Sequence, residues 1–413
     1  MSLALTVHRG TQEIGGSCIE LADSSGERII LDAGRPLDAP EGATGLLPQT
    51  LDRSRPATVI ISHPHQDHWG LVEELPQDWP VWCGPHAASL IRVTGEVRRQ
   101  PLDRELRSWE PRQGPMRIGA FTVTPILTDH SAFDAYMILI EAAGKRVLYT
   151  GDFRRHGRKS ALVDRMMTDP PGKIDVLLME GTNLRSSKPV KSETELEAEF
   201  LELFEGTPDR VFVSWSGQNI DRTVTLYRAA KRAGRTLVID LYTADVLDRV
   251  AEGTGVPRPG FPNLKVVITR SLARNYRRQG RADFVDRMAA HAIPARALAR
   301  DRHWVIMLRR ALMRDYIDAG VQPSARDAYN FSMWRGYLDD AYHAEPHDWC
   351  GAAGARLAYI HTSGHASPDD LRRFAVAVAP KTLVPVHGVH WDDPGLEFSD
   401  VRRLGNGERW QIR

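Results

Sequence analysis

The sequence predicts an α/β protein on three observations. The first half reads as short strands separated by Gly and Ser turns. From about Ser192, strands alternate with helical patterns, which implies a mostly parallel sheet. Near Ala353 the pattern changes again, to a strand, a helix and a strand. The chain has 413 residues, 42% hydrophobic and 26% charged, enough for two or three domains. This composition excludes a mainly disordered or collagen-like chain. No run approaches roughly eighteen apolar residues, so no membrane span is expected. The first residues lack the basic and apolar regions of a signal peptide. Cys18, Cys83 and Cys350 are odd in number and far apart, and read as reduced thiols of a cytoplasmic protein.

The elements follow in order. Leu3–Val7, Ser17–Leu21, Arg28–Leu31 and Ala57–Ile61 are strand-like, as are Phe121–Ile126, Ala135–Ile140, Lys145–Tyr149 and Asp175–Met179. Glu195–Phe204 has helical spacing and Arg210–Val213 reads as a strand. Asn219 can cap a helix in which Ile220, Val224 and Tyr227 share a face. Thr236–Ile239 and Leu264–Ile268 are further strands. After the strand Arg356–Ile360, Ser367 caps a helix with Pro368 at its first position and Leu371, Phe374, Ala375 and Val378 on one face. Thr382–Val386 is the next strand. No internal repeat is visible.

Net charge is +1, but the segment Lys265–Asp315 holds 13 Lys and Arg against 4 Asp and Glu. Such a surplus marks either an anionic partner or solvated Arg-rich helix faces.

The chemistry concentrates in Ser62-His63-Pro64-His65-Gln66-Asp67-His68, directly after a strand. Three imidazoles and a carboxylate at a strand end can turn toward one point, and these are ligands for zinc and related ions. Asp129-His130, Thr150-Gly151-Asp152 and His387-Gly388 also follow strands, so their side chains can converge on the same site. Elsewhere, His8, His86, His156, His291, His303, His343, His347 and His390 read as structural or exposed, and Trp69 as packing.

His-x-His-x-Asp-His, a later His and Thr-Gly-Asp resemble the metallo-β-lactamase superfamily. Gln12–Cys18, Leu31-Asp32-Ala33-Gly34, Met179–Asn183, Ser214–Asn219, His361–His365 and Leu383–Gly388 resemble its β-CASP branch, which includes RNase J-like nucleases. The resemblance implies an αββα sandwich over 1–193 and 350–413, with an inserted parallel α/β cap over 194–349. It implies two divalent metal ions, zinc favoured and manganese the alternative. One would bind His63, His65 and His130, the other Asp67, His68 and His387, with Asp152 between them and Asp32 orienting ligands. Two such ions can clamp an in-line phosphoryl displacement. The resemblance further implies that Asp67 serves the reaction as well as the metal, that His365 contacts the scissile phosphate and protonates the leaving oxygen, and that Glu180 holds its other nitrogen. Ser216, Asn219, His361 and Ser363 would contact substrate.

Two departures stand out. RNase J-like enzymes carry a Gly- and Ser-rich segment late in the cap, where this chain reads His303-Trp-Val-Ile-Met-Leu-Arg-Arg-Ala-Leu-Met-Arg314. The sequence reaches Arg413 soon after His387, so the C-terminal domain of those enzymes is not expected. The reading is a dinuclear phosphodiester hydrolase cutting single-stranded RNA in a cleft between its domains, with no membrane partner and homo-oligomers allowed. The alternatives are a hydrolase of DNA or of a small ester or thioester, and a non-catalytic nucleic-acid-binding protein.

Overall fold

The computed structural model describes residues 2–110, 112–299, 303–393, 395 and 398–413. It divides into two compact units, Met1–Arg92 with Pro101–Pro189 and Gly364–Arg413, and Val93–Gln100 with Val190–Ser363.

The first unit holds two sheets. One runs in the order Arg409–Ile412, Leu3–Arg9, Cys18–Asp23, Arg28–Leu31, Thr58–Ile60, Val81–Cys83 and Leu106–Ser108. The other runs Thr382–Pro385, Val176–Met179, Lys145–Tyr149, Tyr136–Ala142, Phe121–Leu127 and Met116–Ile118. Side chains alternate across a strand, so each strand serves two layers. Leu5, Val7, Ile29, Leu31 and Ile60 meet Ile138, Ile140, Val147, Val176 and Leu178 in one buried cluster between the sheets. Their neighbours point outward. Ile30, Val59 and Ile61 pack on Ala87 and Ile91 of the helix Pro85–Val97. Leu139, Leu148, Leu177 and Met179 pack on Val163 and Met166 of Ser160–Thr168 and on Leu371 and Phe374 of Pro368–Val378. This is the expected αββα sandwich.

Strand direction places the site. Lys145–Tyr149, Val176–Met179 and Thr382–Pro385 are mutually parallel. Phe121–Leu127 has the same direction, because two antiparallel pairings separate it from Lys145–Tyr149. Four loops therefore leave the second sheet at one edge. In the first sheet, Arg28–Leu31 and Thr58–Ile60 are likewise parallel.

The second unit is built on one parallel sheet in the order Ala292–Ile293, Leu264–Val267, Thr236–Asp240, Trp304–Met307, Val211–Ser214, Ala328–Phe331 and Arg356–Ala358. Ser192 and Glu195 form a reciprocal capping box on the helix Glu193–Glu205. Asn219 caps Ile220–Arg232 by accepting from the Arg222 amide.

One expectation about organisation differs from this arrangement. The return to the sandwich was placed at 350, yet Arg356–Ala358 pairs with Ala328–Phe331 and extends the second unit to Ser363. A three-residue strand carries no pattern that says which sheet it joins. The atypical stretch His303–Arg314 supplies the strand Trp304–Met307 and the start of the helix Arg310–Asp318, so it is sheet and helix material in the second unit. Among the described residues no helix is long and apolar enough to cross a membrane. All three cysteines are free and buried.

The helix Pro368–Val378 docks through Phe374, which is fully buried and lies 4.8 Å from the ring of Phe153. Phe374→Ala should destabilise the protein by about 3–5 kcal/mol through the cavity it leaves, measured as a lower urea midpoint at unchanged slope.

Candidate metal centre

Loops at the ends of strands carry the predicted ligands. Asp32 follows Arg28–Leu31. His63 and His65 follow Thr58–Ile60, and Asp67 and His68 sit in the single helical turn Gln66–Trp69 just beyond. His130, Asp152, Glu180 and His387 follow Phe121–Leu127, Lys145–Tyr149, Val176–Met179 and Thr382–Pro385.

The fold brings these residues together. His63, His65 and His130 each place a donor atom within 4.8 Å of the others, as do Asp67, His68, Asp152 and His387. The Asp152 carboxylate lies 3.6 Å from His63 Nε2, 3.2 Å from His68 Nε2 and 3.5 Å from His387 Nδ1, so it stands between the two sets. Three of these buried atoms, His63 Nε2, His68 Nε2 and Asp152 Oδ1, have no hydrogen-bond partner among the described residues. Buried polar atoms are nearly always satisfied, and a divalent cation satisfies imidazole nitrogen and carboxylate oxygen together. The residues present fit a metal site.

The electrostatics of His63, His65 and His130 point the same way. Burial and the neighbouring imidazoles hold His63 and His130 well below the ordinary histidine range. Burial brings His65 down to about 4. Such rings are neutral with a lone pair to donate. Burial works against ionising Asp67 and Asp152, but His68 and His387 beside them reverse this, taking Asp67 down to about 2 and Asp152 well below the usual carboxylate range.

Other groups hold the donors in place. Asp32 accepts from His68 Nδ1 at 2.7 Å, the Ser62 amide at 2.7 Å, the Ser62 hydroxyl at 2.8 Å and the Tyr149 hydroxyl at 2.7 Å. His130 Nδ1 donates to the Gly364 carbonyl at 2.6 Å. Thr182 Oγ1 lies 3.0 Å from His387 Nδ1. The ligand loop is pinned by Ser17 N to Asp67 O at 3.1 Å and Ala33 N to His68 O at 2.8 Å. Gly34 is required here, since an added Cβ would run into the Asp67 carbonyl. Sequence reading assigned no role to Ser62, Tyr149, Thr182 or Gly34, although each lies in or beside a motif it quoted.

His365 lies next to the cluster. Its Nδ1 is 3.1 and 3.2 Å from the two Glu180 oxygens and 3.8 Å from Asp152. Asp152, Glu180, His365 and His387 form a third set of close donor atoms. Glu180 is itself held by the amides of Phe153 at 3.1 Å and Thr182 at 3.2 Å. Burial opposes protonation of His365, but Glu180 and Asp152 outweigh it and raise its pKa to about 9. Ser216, Asn219, His361 and Ser363 lie in the second unit and are not part of this cluster. The Asn219 side-chain oxygen is used by its helix cap. Trp69 is buried and donates Nε1 to the Pro64 carbonyl at 3.0 Å, a packing role under the ligand loop.

Comparison with known proteins adds to this geometry. Residues 27–239 match the family described as Beta-lactamase superfamily domain, and residues 354–390 match the one described as Zn-dependent metallo-hydrolase RNA specificity domain. The chain belongs to the metallo-β-lactamase superfamily, in its β-CASP branch. It is 23% identical to Ribonuclease J of Helicobacter pylori strain B128 over 426 residues, covering 94% of this chain and 56% of that protein. It is 24% identical to Ribonuclease J of Mycolicibacterium smegmatis over 422 residues, covering 94% and 69%. This β-CASP chain thus spans little more than half the length of the Helicobacter relative. A crystal structure of a protein of unknown function from Enterococcus faecalis V583 has the same fold, with TM-score 0.81, 20% identity and 100% of both chains covered.

The basic segment is weaker in space than in sequence. Arg281 pairs with Asp245 and with Glu96 at 3.1 Å, Arg287 with Asp248 at 3.0 Å, Arg309 with Asp240, and Arg310 with Glu345. All these acids lie outside the segment. Arg270, Arg274 and Arg278, four residues apart on the helix Arg270–Arg278, are exposed and have no ion pair among the described residues.

The Tyr149 hydroxyl carries a testable consequence. Tyr149→Phe keeps the ring and removes one of the bonds that aim Asp32 at His68. Metal affinity should fall ~10–100-fold, the usual cost of losing a partner behind a ligand, with the fold intact by circular dichroism. Competition against a chromophoric chelator measures it. Unchanged affinity would show that Asp32 needs no help from Tyr149.

Proposed function

We propose that this protein is a dinuclear metal-dependent phosphodiesterase that cleaves single-stranded RNA. The observation that carries the reading is the His365–Glu180 couple set against the two donor clusters. A ligand cluster alone would suit many hydrolyses. A half-buried imidazole beside it, held by a carboxylate on one nitrogen, suits transfer of a proton to a leaving oxygen. The names of the relatives, and of the domain matched at 354–390, support RNA as the polymer.

His63, His65 and His130 would hold one ion, and Asp67, His68 and His387 the other, with Asp152 shared; zinc is favoured. Divalent ions there supply Lewis acidity and neutralise charge on a phosphoryl group. The chain's own residues do the rest. Asp32 fixes the ring of His68, the Gly364 carbonyl fixes His130, and Thr182 fixes His387. Glu180 holds His365 by Nδ1, so Nε2 is the nitrogen that gives its proton to the departing oxygen. Asp67 orients the attacking water. Ser216, Asn219, His361 and Ser363 are assigned to the flanking phosphates and sugars.

Two measurements test the reading. Elemental analysis of protein purified without chelator should approach two ions per chain, and a value near zero with no uptake on adding metal would remove it. His365→Ala should keep its metal yet lose ~10²–10⁴-fold in turnover, whereas His387→Ala should lose metal. If His365→Ala empties the site and His387→Ala does not, the two roles are exchanged.

Salt dependence tests the polymer. Each phosphate contacted on a single strand adds about −0.7 to the slope of log binding against log salt. Replacing Arg270, Arg274 and Arg278 together by Ala should therefore flatten the slope by about 2. Arg281 is left out because Asp245 and Glu96 already engage it. An unaltered slope would assign the helix no part in RNA binding.

A further inference from the structure

One face of the second unit carries aromatic rings that its own core does not use. Trp334, Tyr337, Tyr342 and Tyr359 are 57%, 46%, 42% and 37% exposed. Single exposed rings are common; a contiguous group points to a partner. Three of these rings are contiguous through His343, and Tyr359 joins them through Arg335. Trp334 meets Tyr337 edge to face with centroids 5.4 Å apart, Tyr337 stacks on His343 at 5.1 Å, and His343 lies 5.2 Å from Tyr342. Arginine planes cover two of them, Arg335 over Tyr359 at 4.6 Å and Arg310 over Tyr342 at 5.5 Å.

The rings are held in place before any partner arrives. The Trp334 indole lies over Gly336, where an added Cβ would collide with it. The Tyr359 hydroxyl donates to the Met333 carbonyl at 3.1 Å. Two nearby acids are occupied in the same work. Asp340 takes His343 Nδ1 at 3.0 Å and caps the Tyr342 amide at 3.3 Å, and Glu345 pairs with Arg310.

Their place in the sheet also matters. Trp334 follows Ala328–Phe331 and Tyr359 follows Arg356–Ala358, neighbouring parallel strands, so both leave at the C-terminal edge. That is the edge where open α/β sheets take ligands. From Tyr359 the chain runs directly to His361, with rings 5.8 Å apart, and then to Ser363.

We propose that this face is a base-stacking platform for single-stranded RNA, with successive bases on Trp334, Tyr337 and Tyr359 and the Arg335 guanidinium among them. The proposal rests on the RNA-cleaving reading above and adds how the strand is gripped. Rigid ring faces interleaved with guanidinium planes match nucleobases, and the match is sequence-tolerant because every base has a π-face. A duplex offers no such faces, since its bases already stack on one another.

An abasic scan along a defined single-stranded RNA tests it, with KM read for each substrate. In the unaltered protein, removing the base at one or two fixed distances from the cut should raise KM ~5–150-fold per base. Trp334→Ala should raise KM for intact RNA and abolish that position-specific penalty. Gly336→Ala, which displaces the indole and leaves every charge in place, should do the same. RNA cleavage with a flat abasic scan overturns the platform and leaves the nuclease reading standing. The platform also falls if the unaltered protein sediments as a dimer that Trp334→Ala converts to monomer, because the rings would then be a contact between copies. Hydrolysis of a small ester with no cleavage of any RNA overturns both readings.

Discussion

The centre depends on one buried carboxylate. Asp32 is fully buried, and an ion so placed is costly unless it is fully bonded. It accepts bonds from Ser62, His68 and Tyr149. Asp32, Ser62 and His68 come from loops of the first sheet, while Tyr149 ends a strand of the second. The anion therefore ties the two sheets together at the edge where the ligands emerge. Its own backbone is left-handed, with φ of 61°, a conformation uncommon for a residue with a side chain. His387, across the site, has φ of 48°. Both residues sit in strained backbone that the surrounding bonds sustain.

From that anchor the arrangement extends by backbone contacts as much as by side chains. The loop carrying Asp67 and His68 is held by the amides of Ser17 and Ala33, and Gly34 lets it approach closely. Asn183 donates to the carbonyls of His365 and Ala366, and Gly364 accepts from His130. The segment after Met179 and the segment around His365 are thus fastened to each other and to the ligand set. A change in either would move both the His365 imidazole and the His130 ring.

Electrostatics divide differently in sequence and in space. A window count treats Arg281, Arg287, Arg309 and Arg310 as equal to Arg274. In the folded chain those four meet Asp245, Asp248, Asp240 and Glu345, all distant in sequence. Charge along a chain reports a field only after such pairing is known. Aromatic residues follow the same rule: Tyr316 and Tyr329 are fully buried, whereas Trp334 and Tyr337 are exposed.

Much of the site was legible because its donors are of rare type and closely spaced. His63, His65, Asp67 and His68 sit within six residues, and His130, Asp152 and His387 each follow a recognisable strand. The helix caps at Asn219 and Ser367 were legible for a similar reason, since a cap is a local bond. Tyr149 and Thr182 were not, because a hydroxyl acquires its role only when a distant strand brings an acceptor to it. The strands Trp304–Met307 and Ala328–Phe331 were missed, and Arg356–Ala358 was given to the wrong sheet. Short strands carry too few residues to state their partners. The sequence by itself determined which atoms can bind metal and on which strands they ride, since those follow from residue type and local pattern. Tertiary structure alone decided which sheet each short strand joins, which arginines stay unpaired and which hydroxyls aim the ligands, because each is a contact between residues far apart in the chain.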